Sequence, residues 1–114
     1  MTRTPKEIFK HHAETLVAGD LEGVVSDYAE DAVFISPTGV KRGKAGVREA
    51  FAQLLSELPD AKWALPSQIY DGDALFLEWT AKSKENQVED GVDTFLFKDG
   101  FIRLQTVRYT LKKV

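Results

Sequence analysis

The chain has 114 residues, no cysteine, and a formal net charge of −3 from 15 Lys and Arg against 18 Asp and Glu. That length allows one hydrophobic core and not two, and a hydrophobic fraction of 43% with 12 aromatic residues argues against a disordered chain. Without cysteine there is no disulfide scaffold, no thiol nucleophile and no Cys-ligated metal or cluster, and the mild acidity speaks against a nucleic-acid partner.

Thr4-Pro5-Lys6-Glu7 has the form of a capping box with proline at the first helical position. Ile8, Phe9, His12, Ala13, Leu16 and Val17 follow at helical spacing, and Gly19 is a stop signal. Asp20 can cap a second, short helix with Leu21, Val24, Val25 and Tyr28 as its apolar positions. Residues 32–36 read as a strand, ended by Pro37 and the turn residues Thr38-Gly39. A third helix is expected from near Lys44, with Val47, Phe51, Leu54, Leu55 and Leu58 as its stripe and Pro59 as its end. Beyond Lys62 the pattern changes. Asp71-Gly72-Asp73 and Asp99-Gly100 are hairpin signals, and strands are expected at 61–70, 74–82, 88–98 and 101–111.

Helices first and strands later place the chain in the α+β class, as a single domain over residues 1–114. The hairpin links predict antiparallel neighbours. Both faces of the strands carry apolar groups, so both need cover. Three helices can cover one face, and a partner subunit is the simplest cover for the other. No apolar run approaches the ~20 residues of a membrane span. No apolar signal segment opens the chain, so a cytoplasmic protein with no membrane partner is expected.

Asp93 is the most informative polar residue. Strand alternation puts it on one face with Phe95 and Phe97. On an internal face its carboxyl would be desolvated and its pKa raised, the condition for a proton shuttle or a hydrogen-bond donor near neutral pH. A structural aspartate paired with a neighbouring strand is the competing reading. His12 lies on the buried stripe of the first helix, four residues from Ile8 and from Leu16, while His11 points elsewhere. It is a candidate acid or base, or else a core histidine bonded to backbone. Tyr28, Trp63, Trp79, Gln105 and Tyr109 are candidates to shape a pocket and orient a ligand. The adjacent pair His11 and His12 offers no metal site, and the glycines at 39, 43 and 46 follow no nucleotide-binding pattern. Ser36, His12 and Asp93 supply the residue types of a hydrolase triad, but no nucleophile-elbow sequence accompanies them.

Three strings carry a family resemblance: Ala18-Gly19-Asp20-Leu21-Glu22, then Tyr28-Ala29-Glu30-Asp31-Ala32-Val33-Phe34, then Pro37-Thr38-Gly39 with Arg42-Gly43. The segment from Gly91 to Ile102 fits the same pattern. Together they resemble the nuclear transport factor 2-like superfamily, and within it the SnoaL-like and ketosteroid-isomerase-like branch. The resemblance implies a cone, with a strongly bent antiparallel sheet around three N-terminal helices. It also implies an apolar ligand pocket, no cofactor and a homodimer formed through the outer sheet face. It puts Asp93 where ketosteroid isomerases hold a protonated aspartate, and His12 where they hold the oxyanion tyrosine. Tyr28 matches a supporting tyrosine, and Phe51 replaces another. The family's general base falls at Ser36, which cannot act as a base at neutral pH. The expectation is therefore a retained pocket without the steroid-isomerase machinery. Asp93 and His12 would be its catalytic pair, with Ser36, Phe51 and Phe95 added to the ligand-contacting residues. An acid–base enzyme acting on an apolar carbonyl compound, a non-catalytic binder and a structural dimerisation module all remain open.

Overall fold

A capping box starts the first helix. In the structure, a computed structural model that describes residues 2–114, Thr4 Oγ1 accepts from the Glu7 N–H at 3.2 Å, and the Glu7 carboxylate accepts from the Thr4 N–H at 2.8 Å. Helix α1 runs Pro5–Val17 and buries Ile8, Phe9, His12 and Thr15. Asp20 then caps α2 (Leu21–Ser26) by accepting from the Gly23 N–H at 3.0 Å.

Tyr28 does not end α2, as its apolar spacing suggested; it opens strand β1 (Tyr28–Ser36). The strand thus begins four residues before the apolar run at 32–36. The cause is pairing at a distance: the Asp27 carbonyl accepts the Ile102 N–H at 2.8 Å and draws the chain into the sheet. A further strand, β2 (Gly39–Arg42), folds back on β1 across Pro37-Thr38, where the sequence suggested only a turn. Helix α3 spans Gly43–Glu57.

The second half follows its hairpin signals closely. Strands β3 (Lys62–Asp71), β4 (Ala74–Lys82), β5 (Asn86–Lys98) and β6 (Phe101–Arg108) form one meander, and the two-residue β7 (Lys112–Lys113) pairs with the start of β5. The sheet order is β2-β1-β6-β5-β4-β3. All these pairs are antiparallel except β1 with β6, which is parallel. The hairpin signals could not foretell that pair, because β1 reaches β6 only through α3 and the whole meander.

Register shifts interrupt β3 between Ala64 and Ser67, β4 against β5 at Trp79 and Ala81, and β5 against β6 at Leu96 and Phe97. Such bulges bend strands and increase their twist. At Pro66, within the first shift, the missing N–H also removes a ladder donor. The sheet curves, and the three helices pack on its inner face, which is the expected α+β architecture. Ile8 of α1, Val24 of α2, Val47 of α3, and Leu75, Phe95 and Ile102 of the sheet are fully buried in the core between them. Among the described residues no helix is long and apolar enough to cross a membrane.

A candidate active site between the helices and the sheet

Along β5 the side chains alternate. Gly91, Asp93, Phe95 and Phe97 point inward and are buried, whereas Leu96 is exposed on the outer face. Asp93 is 5% exposed. Its two oxygens each accept one hydrogen bond from a neighbouring strand. Trp79 on β4 donates its Nε1–H to Oδ1 at 2.7 Å, and Gln105 on β6 donates its Nε2–H to Oδ2 at 2.6 Å. Tyr28, at the start of β1, donates its hydroxyl to Gln105 Oε1.

The direction of this relay follows from chemistry. Burial, with the charges of Asp93 and Asp27, holds the Tyr28 phenol well above its ordinary pKa, so it stays a hydroxyl. The hydroxyl takes the Gln105 carbonyl oxygen, which leaves the amide nitrogen for Asp93. Both donors to Asp93 are neutral. They favour the carboxylate, but burial outweighs them and pushes Asp93 up to about 7. The carboxyl therefore exchanges its proton near neutrality, the range useful to a general acid or base.

His12 lies across this layer on α1. Its ring centroid is 5.8 Å from that of Phe9, 5.6 Å from Phe51, 5.5 Å from Phe95 and 6.0 Å from Tyr28. Within this aromatic surround, burial drives His12 down to about 4, so the imidazole is neutral at pH 7. Its Nδ1 is buried and has no hydrogen-bond partner. His11 points away from it and meets Asp27 at 2.7 Å.

A cavity of ≈170 Å³ separates these groups. Phe9, His12 and Leu16 line it from α1, and Phe51 and Leu54 from α3. The sheet contributes Phe34, Trp63, Trp79, Asp93 and Gln105, and Tyr109 follows just after β6. Trp63, Trp79 and Tyr109 form a tier of rings, with centroid distances of 5.5 Å and 5.4 Å between successive members. Tyr109 is anchored by donating its hydroxyl to Glu57 at 2.8 Å. Ser36 lines the polar end with Thr38, Lys41 and Gln53, and its hydroxyl is 2.9 Å from that of Thr38.

Most of the residues singled out in the sequence thus meet around one cavity: Asp93, His12, Phe51, Trp63, Trp79 and Gln105, with Tyr109 and Ser36 beside them. Tyr28 and Phe95 do not line it. They are 1% and 0% exposed and belong to the core. Tyr28 spends its hydroxyl on Gln105, and Phe95 is enclosed by the rings of Phe9, His12 and Phe97. Among the described residues no group of three or more His, Cys, Asp and Glu side chains is placed to hold a metal ion.

The sequence reading passed over Asp27. It is fully buried, 2.7 Å from Arg3 Nη1 and 2.7 Å from His11 Nδ1. Nothing in the local sequence marks it, since the partners lie 24 and 16 residues away.

A curved mixed sheet carrying three helices is the architecture of the nuclear transport factor 2-like class of proteins. The model of the SnoaL-like domain matches residues 9–105, and the chain belongs to that family. Solved structures share the fold at low identity. SalBIII, an epoxide hydrolase/cyclase-like enzyme in pyran ring formation in polyether salinomycin, has a TM-score of 0.79 at 19% identity over 93% of this chain and 90% of that one. A proposed ketosteroid isomerase from Kribbella flavida DSM 17836 has a TM-score of 0.76 at 17% identity, covering 93% of this chain and 77% of that one. An NTF2-like protein of unknown function from Cytophaga hutchinsonii ATCC 33406 has a TM-score of 0.78 at 12% identity, covering 96% and 93%. No curated protein matches the chain.

Proposed function

We propose that the protein is a cofactor-independent acid–base enzyme, of isomerase, cyclase or lyase type, acting on an apolar carbonyl-bearing small molecule. The observation that carries this reading is Asp93: a buried acid pushed up to about 7, held by two neutral donors and facing an apolar cavity. Near pH 7 such a group is present in both protonation states. Its carboxylate can take a proton from the carbon next to a carbonyl, and the resulting acid can return it elsewhere on the same molecule. Ser36 stands where the family resemblance puts a base and cannot do this work. Asp93 therefore has to supply both the basic and the acidic step. His12, neutral at pH 7, is a hydrogen-bonding partner for the ligand's oxygen and not a cationic acid. The relatives named above include one described as cyclase-like and one proposed as an isomerase, which supports the reaction class. The cavity is of the size that takes one ring, since about 150 Å³ already holds a benzene. We propose as well that two copies associate through the outer sheet face.

A second reading is a non-catalytic binder of the same class of ligand. It is favoured by Ser36 in place of a base and by the lack of any hydrogen bond between His12 and Asp93 among the described residues. One experiment separates the two. A stability-shift screen with cyclic enones and phenols identifies ligands. A ligand at a hundredfold excess over its Kd adds about 2.7 kcal/mol. The hits are then tested for turnover on the natural protein and on Asp93→Asn. Turnover that disappears in a folded Asp93→Asn protein supports the enzyme. Binding without turnover in either protein supports the binder. Turnover that survives the substitution overturns the role given to Asp93.

A further inference from the structure

Gly91 sits on β5 two residues before Asp93, on the same inward face, and opposite Trp79 of β4 in the strand register. Its φ lies outside the left-handed region, so the backbone there suits any residue. The demand for glycine comes from the side chain across the ladder. A Cβ at position 91 would lie 2.3 Å from both Cδ2 and Cε2 of Trp79 and 2.7 Å from its Nε1. No real Cβ tolerates such distances. The Trp79 indole lies flat over its cross-strand partner, in the space that any other residue would fill.

The indole can retreat only toward the cavity that it lines. It is 5% exposed and packed between the rings of Trp63 and Tyr109. Its place over Gly91 is also what carries Nε1 along the strand to Oδ1 of Asp93. The same ring forms part of the cavity wall. A displaced indole would lose the bond and narrow the cavity together.

We propose that Gly91 is a positioning residue for this site: its missing side chain seats Trp79 so that the indole N–H holds Asp93 and the indole face sets the width of the cavity. The inference deepens the reading of Asp93 as the acid–base group. Among the described residues, the titratable groups on the inner side near Asp93 are His12 of α1 and Tyr109 after β6, which line the cavity, and Tyr28 of β1, which reaches Asp93 through Gln105. The other charged groups of β4, β5 and β6, such as Glu78, Asp90 and Arg108, do not line the cavity. Lys41 of β2 also lines the cavity and is engaged by Glu49 at 2.6 Å. None of these forms a hydrogen bond or an ion pair with Asp93 among the described residues, so the seat of Trp79 is a direct control on the acid.

The test follows the Asp93 carboxyl carbon by NMR against pH in four proteins: natural, Gly91→Ala, Trp79→Phe and the double variant of these two. Loss of one hydrogen bond to the carboxylate raises the midpoint by about 0.5–1 pH unit. Gly91→Ala and Trp79→Phe are both expected to show that rise, and Gly91→Ala is expected to add nothing once the indole N–H is gone. A midpoint unmoved in Gly91→Ala, while Trp79→Phe moves it, overturns the inference. Should Gly91→Ala fail to fold, Trp79→Ala gives the decision. With the indole removed, adding Gly91→Ala must leave the melting temperature of Trp79→Ala unchanged, and a further fall overturns the seat. These readouts need no turnover. A shifted midpoint in a protein that never turns over any ligand would remove the enzyme reading and leave the seat of Trp79 standing.

Discussion

Asp93 and His12 share a layer of the protein but respond to burial with opposite consequences for stability. Burial raises Asp93 from 3.8 to about 7, so between about pH 4 and pH 7 the folded state binds more protons than the unfolded one. Stability from this group therefore falls as pH rises through that window. Burial lowers His12 from 6.5 to about 4, so the unfolded state binds more protons there, and stability from this group rises with pH up to about 6.5. The two slopes oppose each other in the natural protein. Replacing His12 by Phe, which suits its aromatic surround, should leave the falling slope of Asp93. Replacing Asp93 by Asn should leave the rising slope of His12. At about 1.4 kcal/mol for each pH unit, the two variants should diverge by several kcal/mol between pH 4 and pH 6. Exposed carboxylates such as Asp90, held down by Thr110, add the same background to both. Urea denaturation across pH 4–7 measures the profiles, and parallel slopes in the two variants would refute the opposition. Asp93→Asn should still fold, because the relay can be re-addressed. If Gln105 turns its amide, its oxygen meets the N–H of the introduced asparagine, its nitrogen donates to the Tyr28 hydroxyl, and Trp79 keeps its acceptor. The hydroxyl hydrogen of Tyr28 is then left without its acceptor, a cost of about 1–3 kcal/mol.

Between elements, one buried polar tie is not displayed by sequence patterns. Arg3, just before α1, donates to Asp27 at 2.7 Å and to the Gly100 carbonyl at 2.9 Å, and lies over the Phe101 ring. It thereby fastens the start of α1 to the end of α2 and to the turn between β5 and β6. Arg3→Ala removes a hydrogen-bonded charge from a fully buried carboxylate. It should cost about 1.5–3 kcal/mol in a denaturant titration, with amide exchange quickening first in the opening turn of α1. A change within about 0.5 kcal/mol would mean that His11 alone suffices for Asp27. The contrast with Thr4 and Glu7 explains what was legible in the sequence. A capping box is written in four consecutive residues, a hairpin in two or three, and an inward carboxylate in the alternation of one strand. All three could be read locally, and they gave α1, the meander and Asp93. Asp27, the parallel pairing of β1 with β6 and the early start of β1 each depend on partners brought from far along the chain. No local pattern encodes them. The same limit made Tyr28 look like a helix residue and a pocket residue. Its place became definable only when β1 was seen beside Gln105.

At the scale of the whole molecule, the outer face of the sheet stands out against the inner one. The ladder registers align Ile69, Phe76, Thr94, Thr106, Ile35 and Val40 in one row across β3, β4, β5, β6, β1 and β2. Four of these are large apolar residues left in the open: Ile69 at 62% exposure, Val40 at 53%, Phe76 at 40% and Ile35 at 38%. Leu96, 40% exposed, lies one step along β5 on the same face, opposite Leu104. The helices cannot cover this row, because all three pack on the other side. An exposed row of this kind, with apolar pairs flanking two threonines, is a common mark of an interaction surface. A second copy of the chain brings a matching row, since a two-fold contact places the same patch on both sides. The proposed dimer therefore predicts that one charge within the row disperses it. Phe76→Glu should sediment at the mass of one chain at concentrations where the natural protein sediments at twice that mass. The side chain of residue 76 points away from the cavity, so ligand-induced stability shifts should persist in the variant. A natural protein that already sediments as a single chain at high concentration would exclude self-association as the cover for this face. Loss of ligand binding in a folded Phe76→Glu monomer would instead show that the cavity depends on the partner.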